Sequence, residues 1–378
     1  MNSYQKVTRG RGSVSKIPEM LDKLGISRPL IIGSERLTGK VFKKAPSLLN
    51  APVFSEYHPN PDLQDAVPAV KRFRDQNCDG ILSVGGGSAM DTAKAVKALL
   101  YAGSMEDAAE GHFPDEMPLP HAAVPGTAGT GAEATQNAVV YIGLRKVSLS
   151  HPALRPDGVI LDADLLESLP LYHQKSAALD ALCQGIESYW CRSANEDSRV
   201  HAYLAILGVT DNLKAYLKGD PHAAEEMLDA AYQSGKAIQI TRTTAAHAMS
   251  YQITKTMGYA HGHACMMTLP VLWEMMEDRE EMKPVLEDLS RKMRLSDSRA
   301  VPKLLRGILY DLEMEIPEMP GEEALDRLTD AVDPQRLGNH PVEMAREDIR
   351  KAYMKAFTPL CASEKQACLD IWKYYQEA

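Results

Sequence analysis

No run in this sequence is apolar enough to cross a bilayer, which takes about 20 consecutive apolar residues, and the opening Met1-Asn2-Ser3-Tyr4-Gln5-Lys6 carries no apolar leader. A membrane partner is therefore not expected. The six cysteines, at 78, 183, 191, 265, 361 and 368, form no CxxC pair, which leaves zinc-finger and thioredoxin-type chemistry without a basis and points to a reducing cytoplasm. Cys183 and Cys265 stand beside candidate ligands described below, but a lone thiol is more often a small buried hydrophobe. Positive charge is short too: 42 Lys and Arg against 51 Asp and Glu leave a net charge of −9. Nucleic acids and acidic membranes repel such a chain, so no nucleic-acid partner is expected and a small molecule is the better match. There is no internal repeat and no low-complexity linker.

What is present is an ordinary globular balance, 44% hydrophobic and 25% charged residues over 378 positions, enough for two domains. In the first part, Pro29-Leu30-Ile31-Ile32-Gly33, Pro52-Val53-Phe54, Gly80-Ile81-Leu82-Ser83-Val84 and His121-Ala122-Ala123-Val124 read as strands, with amphipathic helices between them. That alternation predicts a parallel α/β sheet, with Val159-Ile160-Leu161-Asp162 as its last strand. Asn60-Pro61-Asp62 reads as the cap and first-turn proline of one helix, and Ser88 as the opening of the next. Beyond about Pro170 the β signal fades into Ala, Leu, Met and Glu-rich stretches. The expected organisation is an α/β dinucleotide-binding domain over 1–163 and an all-helical metal and substrate domain over 164–378. The Ala, Met and Leu arrays of the helical half fit core packing or a homodimer face equally well.

Gly85-Gly86-Gly87-Ser88 follows a strand and precedes a helix, an arrangement in which bare backbone N–H groups and the positive helix end hold a pyrophosphate. Asp91 lies one turn into that helix. The string is neither GxGxxG nor a Walker A loop, since Met90 fills the last slot and no Lys-Ser/Thr follows. A second glycine-rich stretch, Pro125-Gly126-Thr127-Ala128-Gly129-Thr130-Gly131, follows a later strand and adds two hydroxyls. Tight turns alone would also explain both loops. Two of them at strand carboxyl ends favour a nucleotide crevice.

Further on, Leu179-Asp180-Ala181-Leu182-Cys183-Gln184 places Asp180 and Gln184 four residues apart, on one helix face. His247 and Tyr251 repeat that spacing, and Gly258 is a natural helix terminator that leaves His261 on backbone able to turn back toward His247. Two imidazoles and a carboxylate can thus converge, a donor set suited to Zn or Fe(II) with a coordination position left for a substrate oxygen. Packed core histidines are the plain alternative.

These residues resemble the iron-containing (group III) alcohol dehydrogenases, which share the dehydroquinate synthase-like fold, over nearly the whole chain. Gly85 to Lys94 is similar to the family's pyrophosphate turn, with Gly86, Gly87, Ser88 and Asp91 as cofactor residues; Pro125 to Glu133 is similar to its nicotinamide-side loop; and Asp180, His247 and His261 to its metal ligands, with Gln184 beside them. The resemblance implies NAD(P)H and a divalent metal, Fe2+ or Zn2+, and further cofactor contacts by Asn60, Thr127, Thr130 and Lys146. Thr243 to Tyr251, His261-Gly262-His263-Ala264 and Gly338-Asn339-His340-Pro341-Val342 look most like its phosphonoacetaldehyde reductase branch.

Three positions depart from the family pattern. Gln184 stands where His is common, and an amide oxygen is a weaker ligand than imidazole. Tyr251 stands where a second His is common, which changes the proton donor. Gly33-Ser34 occupies the turn that often carries an Asp reading the NAD ribose; its absence admits a 2′-phosphate that Arg36 could pair with, although Glu35 opposes this, so NADH and NADPH both stay open at Ser34. The implied activity is reduction of a small aldehyde to its alcohol, with the metal polarising the carbonyl and the nicotinamide delivering hydride. Tyr251 and His263 are the candidate proton relays. An anionic substrate tail such as the phosphonate of phosphonoacetaldehyde needs a cation, for which Lys146, His151, Arg242 and Lys255 are candidates. The alternatives are a sulfoacetaldehyde or hydroxyaldehyde reductase of the same family, a dehydroquinate synthase-like enzyme, and a nucleotide-binding protein without catalysis.

Overall fold

A computed structural model of the chain describes residues 5–143, 145–314 and 316–377. Met1 to Tyr4, part of the segment read for a leader, lie outside the described residues. Two compact units divide the chain: Met1–Leu169 with Lys218–Gly235, and Pro170–Leu217 with Lys236–Ala378. Against the expected boundary at 163/164, the 3-10 segment Ala163–Ser168 stays with the first unit, and a later stretch rejoins it.

The first unit is built on strands β1 (Lys6–Arg9), β2 (Pro29–Gly33), β3 (Val53–Phe54), β4 (Gly80–Gly85), β5 (His121–Pro125) and β8 (Gly158–Leu161), a six-stranded sheet ordered β1-β8-β5-β4-β2-β3, all neighbours parallel. Its central strands are buried along their whole length, as parallel strands covered on both faces must be. The period of two then sorts their side chains. Leu30, Ile32, Phe54 and Ile81 pack with Ala69, Phe73, Ala93 and Val96 of helices α3 (Ala66–Asp75) and α4 (Gly87–Tyr101). Ile31, Leu82, Val84 and Val124 pack with Ile17, Leu21, Leu37 and Val41 of α1 (Ile17–Leu24) and α2 (Glu35–Lys44) on the other face. Helix α5 (Met105–Glu110) follows α4. An antiparallel hairpin, β6 (Asn137–Ile142) with β7 (Arg145–Ser150), joins the first of these cores through Ala138, Val140, Val147 and Leu149.

Two helix starts differ from the sequence reading. Asn60 is not a cap: it holds a left-handed φ of 54°. The cap is Asp62, whose carboxylate accepts from Gln64 N in a capping box with Asp65, ahead of a 3-10 turn leading into α3. Proline at 61 disfavours helix at the residue before it, so the turn is completed first. Helix α4 likewise starts at Gly87 with Gly86 as its cap, one residue before Ser88.

The second unit has no strand among its described residues. Its central helices are α6 (Leu171–Trp190), α7 (Glu196–Leu217), α9 (Ala245–Met257) and α10 (His261–Glu277), and it also holds α8 (Pro221–Thr241) from Lys236 onward. Further helices from Lys283–Lys292 to Ala362–Glu377 complete it. From Ala178 to Trp190 every residue of α6 is buried, which marks it as a central helix. Gly262 brings α10 onto it: a Cβ there would stand 2.0 Å from Ser176 O and 2.6 Å from Asp180 N. Among the described residues, no helix is long and apolar enough to cross a membrane.

Candidate functional site

In the second unit, α6, α9 and α10 bring Asp180, His247, His261 and Cys265 together, with one donor atom from each inside a 4.8 Å span. Asp180 Oδ1 lies 3.3 Å from His247 Nε2 and 4.0 Å from His261 Nε2. Burial alone would raise the Asp180 carboxyl, but hydrogen bonding from His247, the positive potential of His261 and a bond from Gln184 outweigh it and hold the group ionised. Asp180 and His247 side chains are each 4% exposed, whereas His261 is 33% exposed, so the group is open on the His261 side.

Both imidazoles are oriented from behind. His247 Nδ1 makes a short contact with Glu187 Oε2, and Glu187 Oε1 accepts from Thr244 Oγ1 at 2.6 Å and from Ala246 N at 2.7 Å. His261 Nδ1 meets Ser250 Oγ at 3.2 Å, and that hydroxyl donates to His247 O at 2.8 Å. With both Nδ1 atoms so engaged, both Nε2 atoms face the shared space, where a divalent metal would take the place of the proton that His247 Nε2 shares with Asp180. Asn339 braces the same helices, its carbonyl accepting from Arg192 N and its amide donating to Thr243 O.

The other residues singled out in this half fall around the group. Gln184 is buried and hydrogen-bonded to the Asp180 carboxylate. Tyr251 lies flat on His261, ring centroids 5.5 Å apart and planes 5° off parallel, and accepts from Arg336 Nη1 at 2.8 Å. His263 is outside the group: its Nδ1 meets Tyr172 Oη at 3.2 Å and Tyr259 packs edge-on against its ring. Glu187, Ser250 and Arg336 were missed by the sequence reading. Glu187 had a usable signal, seven residues after Asp180 and so on its face of the helix; Arg336 had none, since only the folded chain carries it to Tyr251.

In the first unit the carboxyl ends of β2, β4 and β5 lie side by side, and the residues expected at the cofactor pair up along them. Asn60 N donates to Ser88 Oγ at 3.2 Å. A Cβ on Gly86 would stand 3.0 Å from Thr127 Cγ2, and one on Gly87 would stand 3.0 Å from Thr130 Cγ2, so the two glycine-rich loops lie against one another. Lys146 and Lys94 both draw on Asp91, whose carboxyl burial nevertheless pushes up to about 6. Lys94 ties α4 to the second loop, donating to Ala132 O and Asn137 O, each at 2.7 Å, and to Thr135 Oγ1 at 3.1 Å. Burial brings this ammonium down to about 8 against the pull of Asp91 and Glu133. Burial likewise pushes Glu133 up to about 7. Ser34 caps α2 at the end of β2 without a side-chain bond to the helix, and Arg36 Nη1 donates to Ser168 O at 2.8 Å, so that guanidinium has an internal partner.

The residues therefore form a dinucleotide-type loop pair and a carboxylate and imidazole donor set suited to a divalent metal. The family profile described as iron-containing alcohol dehydrogenase matches residues 5–163, and the one for the C-terminal part of the Fe-containing alcohol dehydrogenase family matches residues 175–357. Phosphonoacetaldehyde reductase of Streptomyces viridochromogenes is 36% identical over 56% of this chain and 57% of its own, so that match spans little more than half the relative's length. NAD-dependent methanol dehydrogenase of Bacillus methanolicus is 30% identical over 69% of this chain and 71% of its own. The crystal structure of sulfoacetaldehyde reductase from Bifidobacterium kashiwanohense in complex with NAD+ superposes with a TM-score of 0.87 at 24% identity, over 94% of this chain and 97% of that one.

Proposed function

The chain belongs to the iron-containing alcohol dehydrogenase family, and from that premise we propose that it is a metal-dependent, NAD(P)H-linked reductase of a small aldehyde bearing an anionic group, phosphonoacetaldehyde first among them. The observation that carries this reading is the trio Asp180, His247 and His261, the first two buried and the third partly exposed, pre-oriented through Glu187 and Ser250 and open beside His261. A divalent metal bound there supplies a Lewis acid for a carbonyl oxygen, and a nicotinamide supplies the hydride.

The chain's own residues position and donate. Burial raises the Tyr251 phenol against the pull of Arg336, which keeps its proton in place at neutral pH. Because Arg336 donates to Tyr251 Oη, the phenol's own hydrogen is directed away from Arg336, and Tyr251 Oη is the atom that gives its proton to the alkoxide oxygen left by hydride addition, forming the alcohol. His263, engaged by Tyr172, ranks second for that role. Arg336 also answers the need for a cation, being one aromatic ring removed from His261. Phosphonate and sulfonate tails both suit a guanidinium, so sulfoacetaldehyde is the alternative substrate, with a plain hydroxyaldehyde behind it.

The test is an aldehyde panel assayed with NADH and NADPH on protein of measured metal content. Charge-assisted binding predicts that phosphonoacetaldehyde exceeds acetaldehyde or propanal in kcat/KM by roughly a hundredfold. Comparable efficiency on neutral aldehydes defeats the anionic substrate and leaves the reductase. Turnover of a sugar phosphate without net nicotinamide oxidation favours the dehydroquinate synthase-like alternative.

A further inference from the structure

Helix α10 carries His261 at its first position and Cys265 one turn later, so both side chains leave the same face. Cys265 Sγ lies 3.9 Å from His261 Nε2, and it shares the 4.8 Å span with the donor atoms of Asp180 and His247. Ligands about 2.0 to 2.3 Å from a common tetrahedral centre stand roughly 3.3 to 3.8 Å from one another, so small side-chain turns close the set. Gln184 is placed differently, since its side chain bonds the Asp180 carboxylate and thereby supports a ligand. We infer that Cys265 is the fourth protein ligand, and that Asp180, His247, His261 and Cys265 form a thiolate-bearing site that selects Zn(II) over Fe(II).

The chemistry follows from the donor types. A thiolate is the softest of the four donors and favours zinc, whereas a site of carboxylate and imidazoles alone discriminates less between zinc and ferrous iron. On binding, the metal–sulfur bond forms as the thiol proton leaves to solvent, and no electrons change hands. Cys265 is fully buried whereas His261 is 33% exposed, so the thiol adds a donor without covering the exposed side of the group, and a fifth position stays reachable there for a small substrate oxygen. The departure at Gln184 thereby gains a physical sense: the imidazole common in the family is replaced by a sulfur donor from a different helix.

The inference rests on the metal-dependent reading above, and the experiment separates the two. The full chain is reconstituted with Co(II) and its absorption recorded. A near-ultraviolet sulfur-to-cobalt band is expected beside the visible ligand-field bands. Cys265→Ser should lose the near-ultraviolet band and keep visible ones, while Cys183→Ser, altering the neighbouring buried thiol, should keep both. In competition, the wild-type preference for Zn(II) over Fe(II) should fall at least about tenfold in Cys265→Ser. If that variant does not fold, cadmium NMR of the substituted wild-type chain decides, a downfield resonance meaning sulfur ligation and an upfield one meaning oxygen and nitrogen only. A band that survives Cys265→Ser, or an upfield cadmium resonance, overturns the inference alone; a chain that binds no divalent metal overturns the proposed function with it.

Discussion

Glu187 joins two helices at once: one carboxylate oxygen caps the start of α9 through Ala246 N, and the other holds His247 Nδ1 from the same helix. A buried carboxylate is costly unless its oxygens are satisfied, and here Thr244, Ala246 and His247 satisfy them, so that burial is outweighed and the group stays ionised. The positive end of the helix dipole adds to this.

Glu187→Gln should therefore weaken metal binding by about 10- to 100-fold while leaving the ligands themselves in place. Competition with a chromophoric chelator measures this. An unchanged dissociation constant would show that Glu187 serves the helix start only.

His261→Ala removes the one partly exposed donor of the trio. Metal affinity should fall by at least about 100-fold and activity with it, because the lost imidazole is the donor beside the open position and leaves at most three protein ligands. Full activity in a variant shown to be free of metal would sink the assignment.

Arg336→Ala should cut the preference for anionic over neutral aldehydes by roughly tenfold or more, through loss of a charge-assisted contact. Arg242→Ala and Lys146→Ala, the variants suggested by sequence, provide the comparison. If either lowers the ratio more than Arg336→Ala does, the anion lies elsewhere.

Ser34→Asp places a carboxylate at the end of β2. The ratio of kcat/KM for NADH over NADPH should rise about tenfold, through repulsion of the 2′-phosphate and a new ribose hydrogen bond. A ratio that does not move means that the ribose is read at Glu35 or beyond.

Glu133 makes the stability of the ligand-free chain depend on pH. Its folded value, about 7, lies above the ordinary 4.5, so between those values the folded chain binds more protons than the unfolded one and stability falls as pH rises. Asp91 adds the same sign up to about 6. Glu133→Gln should remove on the order of 3 kcal/mol of this decline. Urea midpoints across that window provide the measurement, and an equal slope in the variant would contradict it.

Strands β2, β4, β5 and β8 were legible because a strand covered on both faces is an uninterrupted apolar run. Strand β1, Lys-Val-Thr-Arg at the sheet edge, has no such run, and β6 buries Ala138 and Val140 on one face only, so both escape a search for long apolar stretches. Spacing alone brings Asp180, His247 and His261 into consideration, since helix geometry converts sequence distance into a shared face. The groups behind them are harder to read. Ser250 acts through a bond to a neighbouring turn, and Arg336 arrives from a short helix, Pro334–Leu337, far along the chain. Cys265 carries no sequence signal of its own, because a buried thiol in isolation has no chemistry that its neighbours do not lend it.

The contacts of Gly86 with Thr127 and of Gly87 with Thr130 constrain the history open to this protein. An alanine at 86 meets the Thr127 methyl at 3.0 Å, and one at 87 meets the Thr130 methyl at the same distance, so each threonine must give by a few tenths of an ångström before its glycine can change. Ancestral reconstructions of this loop pair should accordingly find substitutions at 86 accompanied by changes at 127, and those at 87 by changes at 130.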